Sequence, residues 1–235
     1  GQRYRLVLRQ GLPSSVGEVL ESPVELSLYV RDRAPAARFS GSNFVLPAKS
    51  RLGIPLVTIN APSADLKLFR VGDRALSQII TRSDFLRQLN SYSVETIVQD
   101  LGASVWEGAI DVANELNREV TTSIPVDTLL PERQAGVYVL TATPIGDKSD
   151  SWESRATQWF VVSDIGMSTF AGTDGLSVFL RSLDTARPLQ SVSLTLLARN
   201  NEVLGEAVTD ADGRAVFQAG LIRGQAGLAP AALLA

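Results

Sequence analysis

The run Trp159-Phe160-Val161-Val162-Ser163-Asp164-Ile165-Gly166 decides how this chain is parsed. An apolar stretch ends one β-rich region, two polar residues follow, and Ile165 opens the next strand. Short apolar segments then lead to Thr209-Asp210-Ala211-Asp212-Gly213-Arg214-Ala215-Val216-Phe217. One domain closes and another opens with almost no linker between them. So short a joint restricts swivel between domains.

Upstream of the joint, short strands bounded by Gly, Pro and Ser recur over residues 36–163. Candidates lie at 37–40, 43–47, 54–60, 65–71, 103–112, 118–126, 136–143 and 156–162, with a loop at 129–134. Such spacing with turn signals argues for an antiparallel sandwich. The pattern breaks at about 73–102, where the apolar period becomes helical. Leu76, Ile79 and Ile80 fall at i, i+3 and i+4; Phe85, Leu86 and Leu89 repeat this, as do Val94, Ile97, Val98 and Leu101. Ser83 and Ser93 stand where N-caps would, with Asp84 and Glu95 near the first turns and Gly102 as a stop. The spacing predicts short helices inserted into a β domain. They read either as a recognition element on a loop or as a decorated connection covering one sheet edge.

The first 35 residues hold two alternating runs, at 4–8 and 24–30. Two strands do not make a stable domain. Residues 1–35 are therefore expected to be the terminal strands of a preceding domain or an N-terminal extension. Arg31-Asp32-Arg33-Ala34-Pro35 suits a boundary. Residues 164–235 hold about five strands. Arg199-Asn200-Asn201-Glu202 marks one turn, and Asp212-Gly213 marks a hairpin. Residues 224–235 show no alternation, and a seven-strand sandwich needs more strands. This domain is expected to be cut short.

Composition removes several chemistries. The 235 residues carry 22 Lys+Arg against 25 Asp+Glu, with no basic stripe to bind nucleic acid and no polybasic run for an anionic membrane. There is no cysteine, hence no disulfide, thiolate metal site or cysteine nucleophile. There is no histidine, so a Ser-His-Asp triad cannot be built. No segment approaches the roughly 20 apolar residues that span a bilayer. Residues 1–4 have no signal-peptide pattern, so an exported protein would carry its signal outside this sequence.

Asp210-x-Asp212-Gly213 resembles the start of a calcium loop, but no closing Glu follows and Arg214 stands where an acceptor would help. The turn reading accounts for it more simply. Asp73, Asp84, Glu95 and Asp100 lie on the helical stretch and could include a carboxylate pair, though spacing along exposed helix faces explains them. Trp106 and Trp159 sit in strands and read as core rather than as a sugar platform; Trp152 is open to either. No Ser-x-x-Lys and no phosphate loop occurs. No catalytic, cofactor-binding or metal residues are expected, and the chain does not read as an enzyme.

The ordered set of segments resembles one family. Ser154-Arg155-Ala156-Thr157-Gln158 running into the joint is similar to a domain junction near the N-terminal end of bacterial alpha-2-macroglobulins. Ser182-Leu183-Asp184-Thr185-Ala186-Arg187-Pro188-Leu189, then Leu196-Leu197-Ala198-Arg199-Asn200-Asn201-Glu202-Val203-Leu204, then residues 209–217, resemble that family's next macroglobulin domain. Asn117-Arg118-Glu119-Val120-Thr121-Thr122, Gly136-Val137-Tyr138-Val139-Leu140-Thr141-Ala142 and Asp84-Phe85-Leu86-Arg87 also fit. The likeness is weakest before Glu21.

The resemblance implies an all-β fold of tandem antiparallel β-sandwiches, macroglobulin-like and fibronectin-III-like. It also implies a periplasmic, often lipid-anchored, pan-peptidase inhibitor. In that family a bait region is cleaved and a thioester traps the attacker. A Cys-Leu-Glu-Gln-type motif is needed, and this chain has no cysteine. Bait and thioester therefore lie elsewhere, and what carries over is the framework role. The implied partners are target peptidases, through the full-length protein, and other macroglobulin domains of the same chain. Nucleic acid is not among them, and a membrane enters only through an anchor outside these residues. Trp159, Phe160, Ile165 and Pro188 are the expected interdomain joint, with apolar contact near Phe160, Ile165 and Pro188 fixing the angle. The competing readings are a surface or periplasmic binding module, such as an adhesin or carbohydrate-binding array, and an enzyme. The first would need an exposed aromatic platform or a cation at Asp210 and Asp212, the second two carboxylates at catalytic separation in a cleft.

Overall fold

The computed structural model describes residues 1–41, 44–46, 53–72, 75, 76, 78, 79, 85–145 and 155–235. Asp73, Ser83, Asp84 and Trp152, singled out above, lie outside the described residues.

Strand β10, Ala156–Val162, explains the central unit. All but one of its residues are buried, although side chains alternate between the two faces of a strand. The sheet must therefore be covered on both sides, which is why the sequence reads as a nearly continuous apolar run. That sheet has the order β4-β10-β9-β6-β7, with β4 Phe44–Leu46, β9 Gly136–Pro144, β6 Ser63–Val71 and β7 Gly102–Asp111. β4 is parallel to β10; the other pairs are antiparallel. A second sheet, β3-β5-β8, covers one face, with β3 Ala36–Phe39, β5 Ile54–Ile59 and β8 Glu119–Ile124. Phe160, Tyr138, Leu66, Leu68, Ile54, Leu56 and Ile124 fill the space between the sheets.

The helical stretch covers the other face. Helical backbone at residues 75, 76, 78 and 79, helix α1 (Ser91–Thr96) and a π-turn (Ile97–Leu101) bring Ile79, Leu89 and Ile97 onto Trp159, Phe69, Val71 and Val139. Trp159 donates its indole N–H to the Arg87 carbonyl at 2.9 Å, and the Phe85 ring meets it edge-on at 5.4 Å. The backbone of Arg155 and Thr157 bonds to Gln88 and Leu89, which closes the edge of β10 that β4 leaves open. The insertion is thus the third layer of the core, not a free loop. Its cap differs from the expected one. Asn90 is the N-cap of α1 and accepts from Ser93 N–H at 2.8 Å, so Ser93 supplies the donor. Gly102 does end the π-turn, and a Cβ there would stand 2.7 Å from the Arg70 carbonyl. After β8, Pro125 starts a single helical turn, α2 (Val126–Leu129), where the sequence reading continued the strand.

Beyond the joint, six strands form two three-stranded sheets. One has the order β11-β12-β15, with β11 Ile165–Gly172, β12 Gly175–Ser182 and β15 Arg214–Gln218. The other has the order β14-β13-β16, with β14 Val203–Val208, β13 Ser193–Ala198 and β16 Pro230–Leu234. Val178, Leu180, Leu194, Leu196 and Phe217 form the core between them. Two expectations change here. The tail is not patternless, because residues 230–234 pair antiparallel with β13. Their Pro-Ala-Ala-Leu-Leu composition carries no strand signal; the partner strand decides. And Asp212-Gly213 does not close a hairpin, because β14 pairs with β13 while β15 pairs with β12. The turn carries the chain from one sheet to the other. The turn at 199–202 does close a hairpin, β13–β14.

The N-terminal strands β1 (Gln2–Leu8) and β2 (Val24–Val30) pair as a separate antiparallel ribbon. Their register puts Tyr4 opposite Leu28, Leu6 opposite Leu26 and Leu8 opposite Val24 on one face. No described strand packs on that face.

All three tryptophans precede the joint. Tryptophan fluorescence therefore follows the central sandwich alone, while circular dichroism follows both. Phe217→Ala empties the core of the last sandwich at an expected cost of about 3–5 kcal/mol. In denaturant, the dichroism curve gains an early transition and the fluorescence curve stays in place.

Candidate functional site

The joint is the candidate site. Trp159 and Phe160 are successive residues of β10, so they point to opposite faces. Trp159 lies under the helical layer. Phe160 stacks on Tyr138 at 5.4 Å inside the sandwich. Both are interior residues and neither lines the joint. Pro188 is exposed on the turn after β12, bridged to Arg181. Of the four expected residues, Ile165 alone faces the gap between the sandwiches. The expected contact among Phe160, Ile165 and Pro188 is not what the fold builds, because Phe160 is committed to Tyr138.

What stands at the joint is a cleft of about 460 Å³. Val71, Val137 and Val162 line it from the central sandwich; Ile165, Met167 and Leu233 line it from the last. Arg70 lies at its floor and donates from Nη2 to the Ala135 carbonyl at 3.0 Å. The linker residues make polar contacts, and Ser163 also lines the cleft and accepts from Ile165 N–H at 2.9 Å. Ser163 N–H donates to the Leu46 carbonyl at 3.3 Å. The Asp164 carboxylate accepts from the Ser182 hydroxyl and from Asp184 N–H, each at 2.9 Å. Its carbonyl accepts from Leu183 N–H at 2.7 Å. Asp164 stood inside the quoted stretch and went unmarked. An Asp starting a turn is a signal, but its partners lie about 20 residues away on another element.

A second polar clasp joins the ribbon to the central sandwich. Asn60 and Asn117 both have left-handed backbone, with φ of 49° and 62°. Asn117 N–H donates to Asn60 Oδ1 at 2.6 Å, Asn60 Nδ2 to the Arg33 carbonyl at 2.7 Å, and Arg33 N–H to Asn117 Oδ1 at 2.9 Å. Asn117 Nδ2 reaches Asp32 at 2.8 Å. Arg38, bonded at 2.8 Å, holds the Glu119 carboxyl below the usual carboxylate range, with Arg33 adding to it.

The other candidates fall into structural roles. Asp210 Oδ1 accepts from Asp212 N–H and Arg214 N–H, both at 2.9 Å, so the carboxylate already serves the turn. Among the described residues no group of three or more His, Cys, Asp or Glu could hold a metal. Glu95 and Asp100 are exposed. Trp106 is half-buried against the core, beside a groove of about 350 Å³ shared with Leu129, Pro131 and Tyr138. Tyr138 donates to the Gln134 carbonyl at 2.7 Å, and burial pushes its phenol up.

Two sandwiches joined without a spacer match known domains in the same order. Residues 38–159 match the bacterial alpha-2-macroglobulin MG2 domain, and residues 162–235 match the MG3 domain. The chain belongs to the bacterial alpha-2-macroglobulin family. An alpha-2-macroglobulin of Xylella fastidiosa (strain 9a5c) is 27% identical over 92% of this chain, which spans 13% of that relative's length. The crystal structure of native alpha-2-macroglobulin from Escherichia coli spanning domains NIE-MG1 matches with a TM-score of 0.65 at 25% identity. The match covers 78% of this chain and 86% of that one. Trypsin-activated alpha-2-macroglobulin from Escherichia coli matches with a TM-score of 0.62 at 26% identity, over 78% of this chain and 12% of that one.

Gly213 has φ of +73°, and a Cβ there would lie 2.4 Å from the Leu180 carbonyl. Gly213→Ala is expected to cost about 2–4 kcal/mol through left-handed strain and overpacking. Millimolar calcium is expected to leave the Tm of the parent unchanged. A calcium-dependent rise in Tm that Asp210→Ala abolishes would restore the metal reading.

Proposed function

We propose that this chain is a non-catalytic framework segment of a broad-spectrum peptidase inhibitor. In this reading the bait region and the thioester that traps the peptidase lie outside these residues. The observation that carries it is the consecutive match to two macroglobulin domains, 38–159 and 162–235. The Escherichia coli relative described as trypsin-activated supports peptidases as the targets. Partners are then the target peptidase, met by the whole protein, and neighbouring macroglobulin domains of the same chain. The place of action is the periplasm, with a lipid anchor, if present, outside these residues.

The test compares the full-length gene product with the 235-residue chain. Incubation with trypsin is expected to give a trapped, size-shifted complex for the full-length protein and none for this chain. A full-length protein that leaves trypsin free and fully active on protein substrates would sink the inhibitor reading. Sphaeroplast fractionation tests the location: recovery in the cytoplasm excludes the periplasmic assignment.

The domain plan belongs to the same reading: residues 1–35 as terminal strands of a preceding macroglobulin-like domain, 36–163 as the sandwich with its helical insertion, and 164–235 as a second sandwich that further strands complete. Two exposed surfaces support it. The ribbon displays Tyr4, Leu6, Leu26 and Leu28 with no cover, and two strands are not stable alone. In the last sandwich β11 and β16 are both sheet edges, and Met167, Thr169 and Ala171 are exposed. A chain starting at residue 36 is expected to bind markedly less hydrophobic dye than the 235-residue chain, with the tryptophan-monitored transition shifted by less than about 1 kcal/mol. A large loss of stability would instead make the ribbon an integral part of the central sandwich.

A further inference from the structure

We infer that the outer edge of β7 is a docking site for an extended peptide whose side chains alternate between apolar and basic. β7 is the outermost strand of its sheet and, among the described residues, pairs with β6 alone. An edge strand leaves the N–H and C=O groups of every second residue pointing away from its neighbour. The strand has ten residues, with one register shift opposite Leu68 and Phe69 of β6. Beyond that bulge, residues 106–111 run in continuous register with residues 63–68, so the open ladder is regular there. An added strand makes main-chain bonds whatever its sequence, and selectivity falls to its side chains.

Successive side chains of an added strand point to opposite faces of the sheet, and β7 has a groove on each. On the face toward β3-β5-β8, Val105, Trp106, Leu129, Pro131 and Tyr138 line about 350 Å³. Trp106 packs against the core, and its ring lies over Gly108, where a Cβ would stand 2.9 Å from the indole Cη2. Glycine inside a strand marks a place of close approach; here it lets the indole lie along the rim. That groove takes an apolar side chain. On the opposite face, Val94, Glu95 and Val98 from α1 and the π-turn share a groove of about 230 Å³ with Phe69 and Glu107. An apolar floor beside two carboxylates suits a long basic side chain, which lays its stem on the floor and keeps its charged head at the rim. Strand alternation puts Asp65, Lys67 and Asp111 on this same face. Lys67 is bonded to Glu107 at 2.6 Å; among the described residues no cation is paired with Asp65, Glu95 or Asp111. Such a row repels the β7 edge of a second copy, which carries the same carboxylates, and attracts Arg or Lys.

The probe is a fluorescein-labelled Arg-Leu-Arg-Leu-Arg-Leu-Arg peptide, titrated with the 235-residue chain and read by anisotropy. Saturable binding is expected, together with slowed amide hydrogen exchange in β7. A probe with Glu in place of Arg is expected not to bind. Glu95→Gln combined with Glu107→Gln is expected to weaken binding about fivefold. Both side chains are exposed, so the double variant is expected to keep the Tm of the parent. Two further probes carry N-methyl groups, one on the leucine nitrogens and one on the arginine nitrogens. Alternate N–H groups of a strand face one edge, so one of these probes is expected to lose binding and the other to keep it. Absence of saturable binding to the parent overturns the proposal. Equal behaviour of the two methylated probes also overturns it, since charge attraction alone needs no added strand. So does slowed exchange confined to the ribbon strands β1 and β2. The assay involves no peptidase, so it stands or falls separately from the inhibitor reading.

Discussion

Burial of strand β10 on both faces is the constraint from which the rest follows. Trp159 and Phe160 are adjacent, large and almost fully buried, yet they belong to different hydrophobic clusters. A strand can do this only in the middle layer of three. The sheet β3-β5-β8 covers one side, and the described residues between 75 and 101 cover the other. Truncating a buried Trp costs about 3–5 kcal/mol, a large fraction of the stability of a typical domain. The insertion is therefore part of the core. Its backbone bonds at Gln88 and Leu89 also protect the edge of β10 that β4 leaves open.

The same constraint shapes the joint. Because Trp159 and Phe160 are spent on the interior, β10 delivers only Val161, Val162 and Ser163 to the gap. Valines can form an apolar wall, but none is long enough to reach across a cleft of this size. The work of holding the second sandwich falls to polar groups. Ser163 N–H ties the linker to the Leu46 carbonyl of the central unit and Asp164 ties it to the second sandwich, while at the other end the Asn60–Asn117 pair holds the segment after the ribbon. Net contributions of hydrogen bonds are small, about 0.5–1.5 kcal/mol each. Their directionality matters more here than their strength. A carboxylate with two fixed donors defines how the backbone at Asp164 enters the last sandwich.

Where local pattern sets the structure, the sequence was readable. Strands with clean alternation, the helical backbone at Ser91–Thr96 and Ile97–Leu101 and the Asn-rich turn at 199–202 lie close to where periodicity and turn chemistry put them, whereas Phe85, Leu86 and Leu89, read as a helical repeat, lie in turn and non-helical backbone with Leu86 at φ 62°. The misses are non-local. Asp212-Gly213 has the chemistry of a tight turn, and Gly213 does take positive φ. The strand before it is already paired in the β13–β14 hairpin, and the strand after it joins β12, more than thirty residues back, in the other sheet. Residues 230–234 carry no strand pattern and become a strand because β13 offers an edge. The joint was misassigned for the same kind of reason. Trp159, Phe160 and Pro188 are conspicuous residue types near a boundary, but their partners turn them inward or away. Asp164 is inconspicuous, and its role depends on Ser182 and Asp184 lying beside it in space.

A framework built from such units must pass a change of angle from one domain to the next without unfolding either. Separate cores do this. Among the described residues the two sandwiches share no hydrophobic cluster, and each has its own sheet pairings. Buried members of the central clusters, Val71 and Val162, nevertheless line the cleft, so any change of angle alters their exposure. A polypeptide linker of many residues would leave the two units free to swivel, whereas a two-residue joint restricts them.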